Sequence, residues 1–336
     1  MLVRVEESTA RGRDLVATAP LRAGHTVMTC APLALVPSDA FLLTVCCGCL
    51  QHCPLERKCE ACGAVLLCEA CAAPGHRHAA LHADECASLR QLRDDPAVRQ
   101  RSRNGADTSS LRLLLRLIYA ARREREGTLP PLLLADEADE VIEDDMEAMA
   151  SLEDHSDSFP SDLLDSVSDA VARAKFLLAA DARASSAEYE GYLARMFTNS
   201  FALQAYRDSH ARTRQPKAEV GSGVFCSIAL INHSCRPNSE VQLTEAGFLR
   251  VVTTRPLAEG EPITLSYLPL PIPRTIGPPR GVTMRQVQQE EEEPYGVEGR
   301  HRDLKAAFFF DCDCGCQYQL RRPPHAHSKF DVNVSV

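Results

Sequence analysis

Short alternations of apolar and polar positions open the chain. Val3 and Val5, Leu15 and Val16, then Thr26-Val27-Met28 read as short strands, with turn signals at Ala23-Gly24 and Pro37-Ser38. A helical period takes over after Ser109, where Leu111, Leu114, Leu115, Ile118 and Tyr119 repeat at three- and four-residue spacing with charge on the other face. Thr128-Leu129-Pro130-Pro131 breaks that helix. Two further helices are expected over 166–182 and 187–197. Between them and the break lies an acidic stretch, 136–169, which reads as a solvated helical insert or loop, the alternative being a contact with a basic partner. Strand character returns at Gly223-Val224-Phe225, Val241-Gln242-Leu243, 248–252 and Ile263-Thr264-Leu265, each bounded by Gly, Pro or Asn. Residues 269–303 are rich in Pro, Arg and Gln, carry the acidic run Glu290 to Glu293, and predict a mobile loop. There is no internal repeat.

One stretch fits neither period. Between Cys46 and Cys86 large apolar residues are too few to bury a core, and cysteines come in pairs instead: Cys46-x-x-Cys49, Cys59-x-x-Cys62, Cys68-x-x-Cys71, then His82-x-x-x-Cys86. Four pairs are enough for two tetrahedral zinc ions, because a two- or three-residue spacer lets one turn of chain present both atoms of a pair. Metal would then supply the folding energy that the core does not. A disulfide framework is the alternative. The start of the chain, MLVRVEESTARGR, has no apolar signal-peptide core, which favours a reducing compartment and thiolate-bound metal. Of the 15 cysteines, nine lie in this ladder and three in Cys312-Asp313-Cys314-Gly315-Cys316, while Cys30, Cys226 and Cys235 stand apart.

Composition narrows the class. A chain of 336 residues allows one large domain or two to three smaller ones. No apolar run approaches the roughly 20 residues of a membrane span. The net charge of −9, from 46 acids against 37 bases, favours basic partners over nucleic acid. The ladder's surroundings (Arg57, Lys58, Arg77) hold only a sparse basic patch, so DNA binding by this segment is disfavoured.

The most specific pattern is Asn232-His233-Ser234-Cys235-Arg236-Pro237-Asn238. It strongly resembles the signature of SET-domain protein lysine methyltransferases. Other segments agree in order. Arg11-Gly12-Arg13-Asp14 sits where the family has its N-terminal cofactor turn, and Asn199-Ser200-Phe201 resembles the family's Asn-Ser-Phe. Gly260-Glu261-Pro262-Ile263 to Tyr267 resembles its Gly-Glu-Glu-Leu-x-x-x-Tyr, and Phe308-Phe309-Phe310 precedes a cysteine triplet resembling the post-SET zinc site. The ladder looks like a MYND zinc finger, and the arrangement is that of the SET-and-MYND (SMYD) methyltransferases.

That resemblance implies a mainly β SET fold of small, pseudoknotted sheets with inserted helices, a zinc-bound MYND finger and a post-SET zinc site. The expected parts are an N-terminal SET segment (1–45), the finger (46–86), a helical insert with the acidic segment (87–217), the catalytic core (218–268), the loop (269–303) and the post-SET segment with its tail (304–336). It further implies an S-adenosylmethionine-dependent protein-lysine N-methyltransferase with three zinc ions. Tyr267 would be the catalytic residue, beside the reacting methyl. Arg11, Arg13, Asn199, Asn232, His233 and Phe310 would bind the cofactor, and Phe308 with Tyr267 would form the lysine tunnel. One zinc would be held by Cys46, Cys49, Cys68 and Cys71, and another by Cys59, Cys62, His82 and Cys86. The third would join Cys235 to Cys312, Cys314 and Cys316.

The chemistry suits these residue types. A lysine amine, with a reference pKa of about 10.4, must lose a proton before it attacks a methyl sulfonium in line, and an apolar, aromatic-walled tunnel favours the neutral amine. The protein has to align the two centres and stabilise the polarised methyl.

Several positions depart from the family pattern. Cys68 and Cys71 are spaced by two residues instead of three, with Ala72 at the usual position, and His78, Cys47 and Cys53 are competing ligands. Gly315 alone separates Cys314 from Cys316. Asp14 stands where a Gly is common; its carboxylate would weaken cofactor binding or point outward. Phe308 replaces a frequent Tyr, which bears on how many methyl groups are added. The sequence stops about 20 residues after Cys316, without the C-terminal helical domain of larger relatives, which implies a more open cleft.

The substrate class expected is a histone tail or another basic protein, drawn by the acidic charge. The alternative is a catalytically weak or inert SET/MYND protein acting as a peptide-binding adaptor, its finger taking Pro-rich peptides. A monomer in cytoplasm and nucleus, with no membrane contact, completes the expectation.

Overall fold

The computed structural model describes residues 2–8, 11–103, 107–132, 141–178, 184–205, 218–268, 294–313, 315 and 320–321. Strands β1 (Val3–Ser8) and β2 (Gly12–Ala17) pair antiparallel, with Val3 opposite Ala17. Strands β3 (Thr26–Ala31) and β4 (Ala34–Pro37) follow and go to different sheets. The cysteine ladder comes next and runs into α1 (Arg77–Asp94), followed by α2 (Pro96–Arg103) and α3 (Ser109–Arg125). Then come β5 (Val141–Glu143), α4 (Met146–Ala150), α5 (Ser161–Leu177) and α6 (Ser186–Asn199). The remaining described elements are β6 (Ser200–Ala205), β7 (Ala218–Val224), α7 (Cys226–Ala229), β8 (Ser239–Leu243), β9 (Leu249–Thr253), β10 (Pro294–Tyr295), α8 (Val297–Phe308) and β11 (Leu320–Arg321).

Four small sheets result: β1-β2, β10-β11, β5-β3-β9-β8 and β4-β7-β6. Two large hydrophobic clusters dominate the described residues. One lies among the sheets and includes Leu15, Val27, Phe225, Val251 and Ile263; the other packs α3, α5 and α6 through residues such as Leu114, Ile118, Val171 and Leu193. Gly221 and Gly223 let β7 lie between its neighbours, because a side chain at 221 would collide with the Val36 backbone carbonyl and one at 223 would crowd Leu35 and Phe225.

Several elements differ from the sequence expectation. Helix α5 starts at Ser161 rather than 166, and residues 179–183 lie outside the described set. Part of the acidic stretch is a strand: Val141–Glu143 pairs parallel with Thr29–Ala31, a partnership no local pattern signals. Residues 263–265 do not form a strand. Leu265 makes an isolated bridge to His233, and Pro262 beside this segment makes one to Val16. Of the expected loop, 269–293 lies outside the described residues, but Val297–Phe308 is helical. Arg300, Leu304, Ala307 and Phe308 recur at three- and four-residue spacing and bury one face, a signal thinned by the charged residues between them.

Candidate active site

A cavity of about 450 Å³ opens where segments distant in sequence converge. Its walls come from Arg11, Gly12 and Arg13 before and in β2; from Leu152, Glu153 and His155 in the insert; and from Thr198 to Phe201 at the α6-β6 junction. Ala229, Leu230, Asn232 and His233, then Tyr267, then Phe308 and Phe310 to Asp313 close it. The cavity therefore gathers Arg11, Arg13, Asn199, Asn232, His233, Tyr267, Phe308 and Phe310, every non-metal residue singled out from the sequence.

Tyr267 is fixed by the stretch 231–233. Its hydroxyl donates to the Ile231 carbonyl at 2.7 Å, and its backbone N–H donates to Nδ1 of His233 at 3.0 Å. The two stretches are also laced together by Leu265 N–H to Asn232 O at 3.1 Å and Ser234 N–H to Leu265 O at 2.8 Å. Rings surround the phenol. Phe308 lies 4.7 Å from it, His233 5.4 Å, and Phe310 meets it edge-on at 6.1 Å. Burial pushes the phenol's pKa up, so it keeps its proton. Burial, then the charges of Arg300 and His301, push His233 down to about 4. His233 is thus neutral at pH 7, and since Nδ1 accepts from Tyr267, its proton belongs on Nε2.

Phe308 and Phe310 can both line the cavity because Phe309 takes a left-handed conformation, φ 59°, at the end of α8. Its ring turns the other way, onto Phe159 at 5.2 Å and His155 at 5.9 Å. That contact ties the C-terminal aromatics to the inserted helices.

The polar wall is built of committed amides. Asn232 Nδ2 donates to Arg13 O and to Asp14 Oδ1, each at 2.8 Å. Asn199 Nδ2 donates to Glu153 O at 2.9 Å, Arg195 O at 3.0 Å and Thr198 Oγ1 at 2.8 Å. Asp14 does not point outward: it is 5 % exposed and pairs with Arg11 Nη2 at 3.1 Å. Arg13 reaches away to the Ser151 carbonyl at 2.7 Å.

Away from the cavity, the ladder gathers into two clusters. Cys46, Cys49, Cys68 and Cys71 place their sulfurs within 4.8 Å of one another, as do the ligand atoms of Cys59, Cys62, His82 and Cys86. Within them Cys49 to Cys68 is 3.8 Å, Cys59 to Cys86 is 3.9 Å, and Cys62 to His82 Nε2 is 3.9 Å. Zinc–thiolate bonds of about 2.3 Å give a tetrahedral edge of roughly 3.8 Å, so these atoms suit zinc and are too far apart for disulfides. His82 turns Nδ1 toward Glu85, 3.7 Å away, and Glu85 is in turn bound by the buried Arg116 of α3. Burial works against the Glu85 charge, but Arg116 and His82 overcome it and bring the carboxyl down to about 2. A carboxylate behind a ligating histidine fixes the ring's orientation, and here the link runs on into the helical core.

His78 is not in either cluster. It is buried against Gly48, where a side chain would strike its ring, and its Nδ1 has no hydrogen-bond partner among the described residues. Cys47 and Cys53 are buried outside the clusters too. A third group joins Cys235 to Cys312 at 4.0 Å, with His233 Nε2 at 3.4 Å from Cys235. Cys314 and Cys316 lie outside the described residues.

The SET domain family matches residues 12–268, three quarters of the sequence. This chain belongs to the SET-domain family. Relatives of the SMYD type align along nearly all of it. The mouse "Histone-lysine N-methyltransferase SMYD3" is 26% identical over 328 residues, covering 94% of this chain and 62% of its own length. The mouse "Histone-lysine N-methyltransferase Smyd1" is 24% identical, covering 99% and 59%. "Histone-lysine N-methyltransferase ASHR1" of Arabidopsis thaliana is 24% identical, covering 90% and 52%. The SET chain described here thus spans about three fifths of the length of such relatives. A solved SET domain, that of LSMT bound to lysine and AdoHcy, overlaps at 14% identity and a TM-score of 0.31, covering 79% of this chain and 49% of that one, too loose a fit to carry an argument.

Within the SET domain, Leu152, Glu153, His155 and Thr198 line the cavity and carry no sequence signal. His155 is held at φ 54°, and its place follows from the Phe309 contact, which only the folded chain makes. Among the described residues no helix is long and apolar enough to cross a membrane.

Proposed function

We propose that this chain is an S-adenosylmethionine-dependent protein-lysine N-methyltransferase, acting on lysines of histones or other proteins. The observation that carries the reading is Tyr267, held at both ends on the wall of a cavity ringed by His233, Phe308 and Phe310. The SMYD relatives named as lysine methyltransferases support it.

S-adenosylmethionine supplies a methyl group on a sulfonium cation. The residues provide the rest. Tyr267 points its hydroxyl hydrogen at Ile231 O, so its oxygen offers lone pairs to a positively polarised methyl. Phe308 and Tyr267 wall an apolar passage that disfavours a charged amine. Phe310 and His233 pack beside them, their ring centroids 6.1 Å apart, and add aromatic surface around the phenol. Asn199, Asn232, Arg11 and Arg13 form the polar end, where the amino-acid part of the cofactor would lie. We infer further that zinc fills both ladder clusters, and that a third ion joins Cys235 and Cys312 to Cys314 and Cys316. That last site would hold the Phe308 to Phe310 segment over the cavity.

Transfer of labelled methyl from S-adenosylmethionine to a panel of proteins, with the product residue identified, tests the reading. Wild type labels lysine Nε, and Tyr267→Phe, which removes the tie to Ile231, drops the rate about 100-fold. Absence of labelling with any protein, alongside retained peptide binding, would favour an adaptor instead.

A further inference from the structure

The two asparagines on the cavity wall are oriented by what their amides already hold. Both hydrogens of Asn232 Nδ2 go to acceptors, Arg13 O and Asp14 Oδ1, each at 2.8 Å. Neither partner can donate, so the nitrogen must face them and Oδ1 must face away. Asn199 is in the same position, its Nδ2 ringed by Glu153 O, Arg195 O and Thr198 Oγ1. Both residues line the cavity, and among the described residues no donor reaches either Oδ1. Two cavity-lining residues thus keep amide oxygens as their remaining acceptors, which suits a hydrogen-bond donor.

Asp14 adds a negative charge behind this part of the wall, shared with its ion-pair partner Arg11. Its carboxylate is 5 % exposed and stands directly behind the Asn232 amide. One oxygen takes Asn232 and the other takes Arg11 Nη2 at 3.1 Å, so the carboxylate cannot turn away. A charge in this place polarises the amide and strengthens its oxygen as an acceptor, and chains of such bonds reinforce one another.

We propose that Asp14 is a specificity-determining residue: it locks Asn232 so that the wall selects an α-ammonium group, that of the amino-acid end of the cofactor. The inference rests on the methyltransferase reading and deepens it. It also reverses the expectation for a carboxylate in this turn, which serves recognition here instead of opposing it.

Calorimetric titration of the full, zinc-loaded chain tests this, using S-adenosylhomocysteine, its desamino analogue and 5′-methylthioadenosine. Wild type binds S-adenosylhomocysteine about tenfold or more tighter than the desamino analogue. Asp14→Ala leaves the Asn232 amide held by Arg13 O alone and removes most of that preference, weakening S-adenosylhomocysteine about tenfold while the other two ligands stay within about twofold. Asp14→Asn keeps an acceptor and the volume but not the charge, and loses a smaller part of the preference. Equal weakening of all three ligands by Asp14→Ala, or no change in either variant, overturns the role of Asp14. If Asp14→Ala does not fold, the wild-type preference decides: a ratio near one overturns the proposal. Failure of wild type to bind S-adenosylhomocysteine at all sinks the cofactor reading itself, a result distinct from the others.

Discussion

Tyr267 keeps its proton, and that shapes the expected pH dependence. Burial raises the phenol, and Ile231 O holds its hydrogen, so the residue is a poor base at any ordinary pH. The ionising group is then the substrate amine, whose reference pKa is about 10.4. Single-turnover methyl transfer should rise steadily with pH from 7 to about 9.5, without a falling limb. A fall across that range would mean that an essential proton, such as that of Tyr267, is being lost. Glu85 makes the second case at this scale. Glu85→Gln leaves Arg116 charged and buried beside Cys47, and should cost about 3 kcal/mol in denaturant unfolding. A change under about 0.5 kcal/mol would show that the link between finger and helix carries no stability. Asn232, His233 and Tyr267 stood out in the sequence through local strings that resemble the family's, and the fold brings all three to one cavity. Glu153 and His155 did not stand out, because a backbone carbonyl and a contact with Phe309 place them, and neither leaves a pattern.

Among elements, the strongly periodic ones were readable. The apolar stripe of α3 buries Leu114, Leu115 and Ile118, and β1 and β2 pair as their alternation suggests. Strand β5 was not, since its three residues gain meaning only from β3 beside them. Helix α7, four residues long, depends on Asp144 accepting from Ser227 N–H and Oγ. The ladder shows the opposite case: its spacing marked the ligand pairs, and the family resemblance implied the two groups of four that the fold brings together. Its stability should depend on metal. A zinc chelator should release two ions from this segment, seen with a metallochromic dye, and fray the start of α1, which carries His82 and Cys86. Loss of metal without loss of helical circular dichroism would show that the finger's core of Val65, Leu66 and Leu89 holds on its own.

At the scale of the whole molecule, the cavity exists only because distant segments meet. Residues 11–13, 152–155, 198–201, 229–233, 267 and 308–313 share one wall, yet the chain between them includes the metal ladder and three of the longest helices. Family resemblance foresaw most of these segments, and physical pattern alone would not have, since no local period records a contact across 250 residues of chain. We propose that this one cavity receives the cofactor. Hydrogen exchange of the intact chain, with and without S-adenosylhomocysteine, tests it most directly. Exchange should slow in peptides covering 11–17, 198–203, 229–235 and 265–268, with residues 46–71 unchanged. Protection confined to 46–71, or none at 229–235 and 265–268 under saturating ligand, would contradict it.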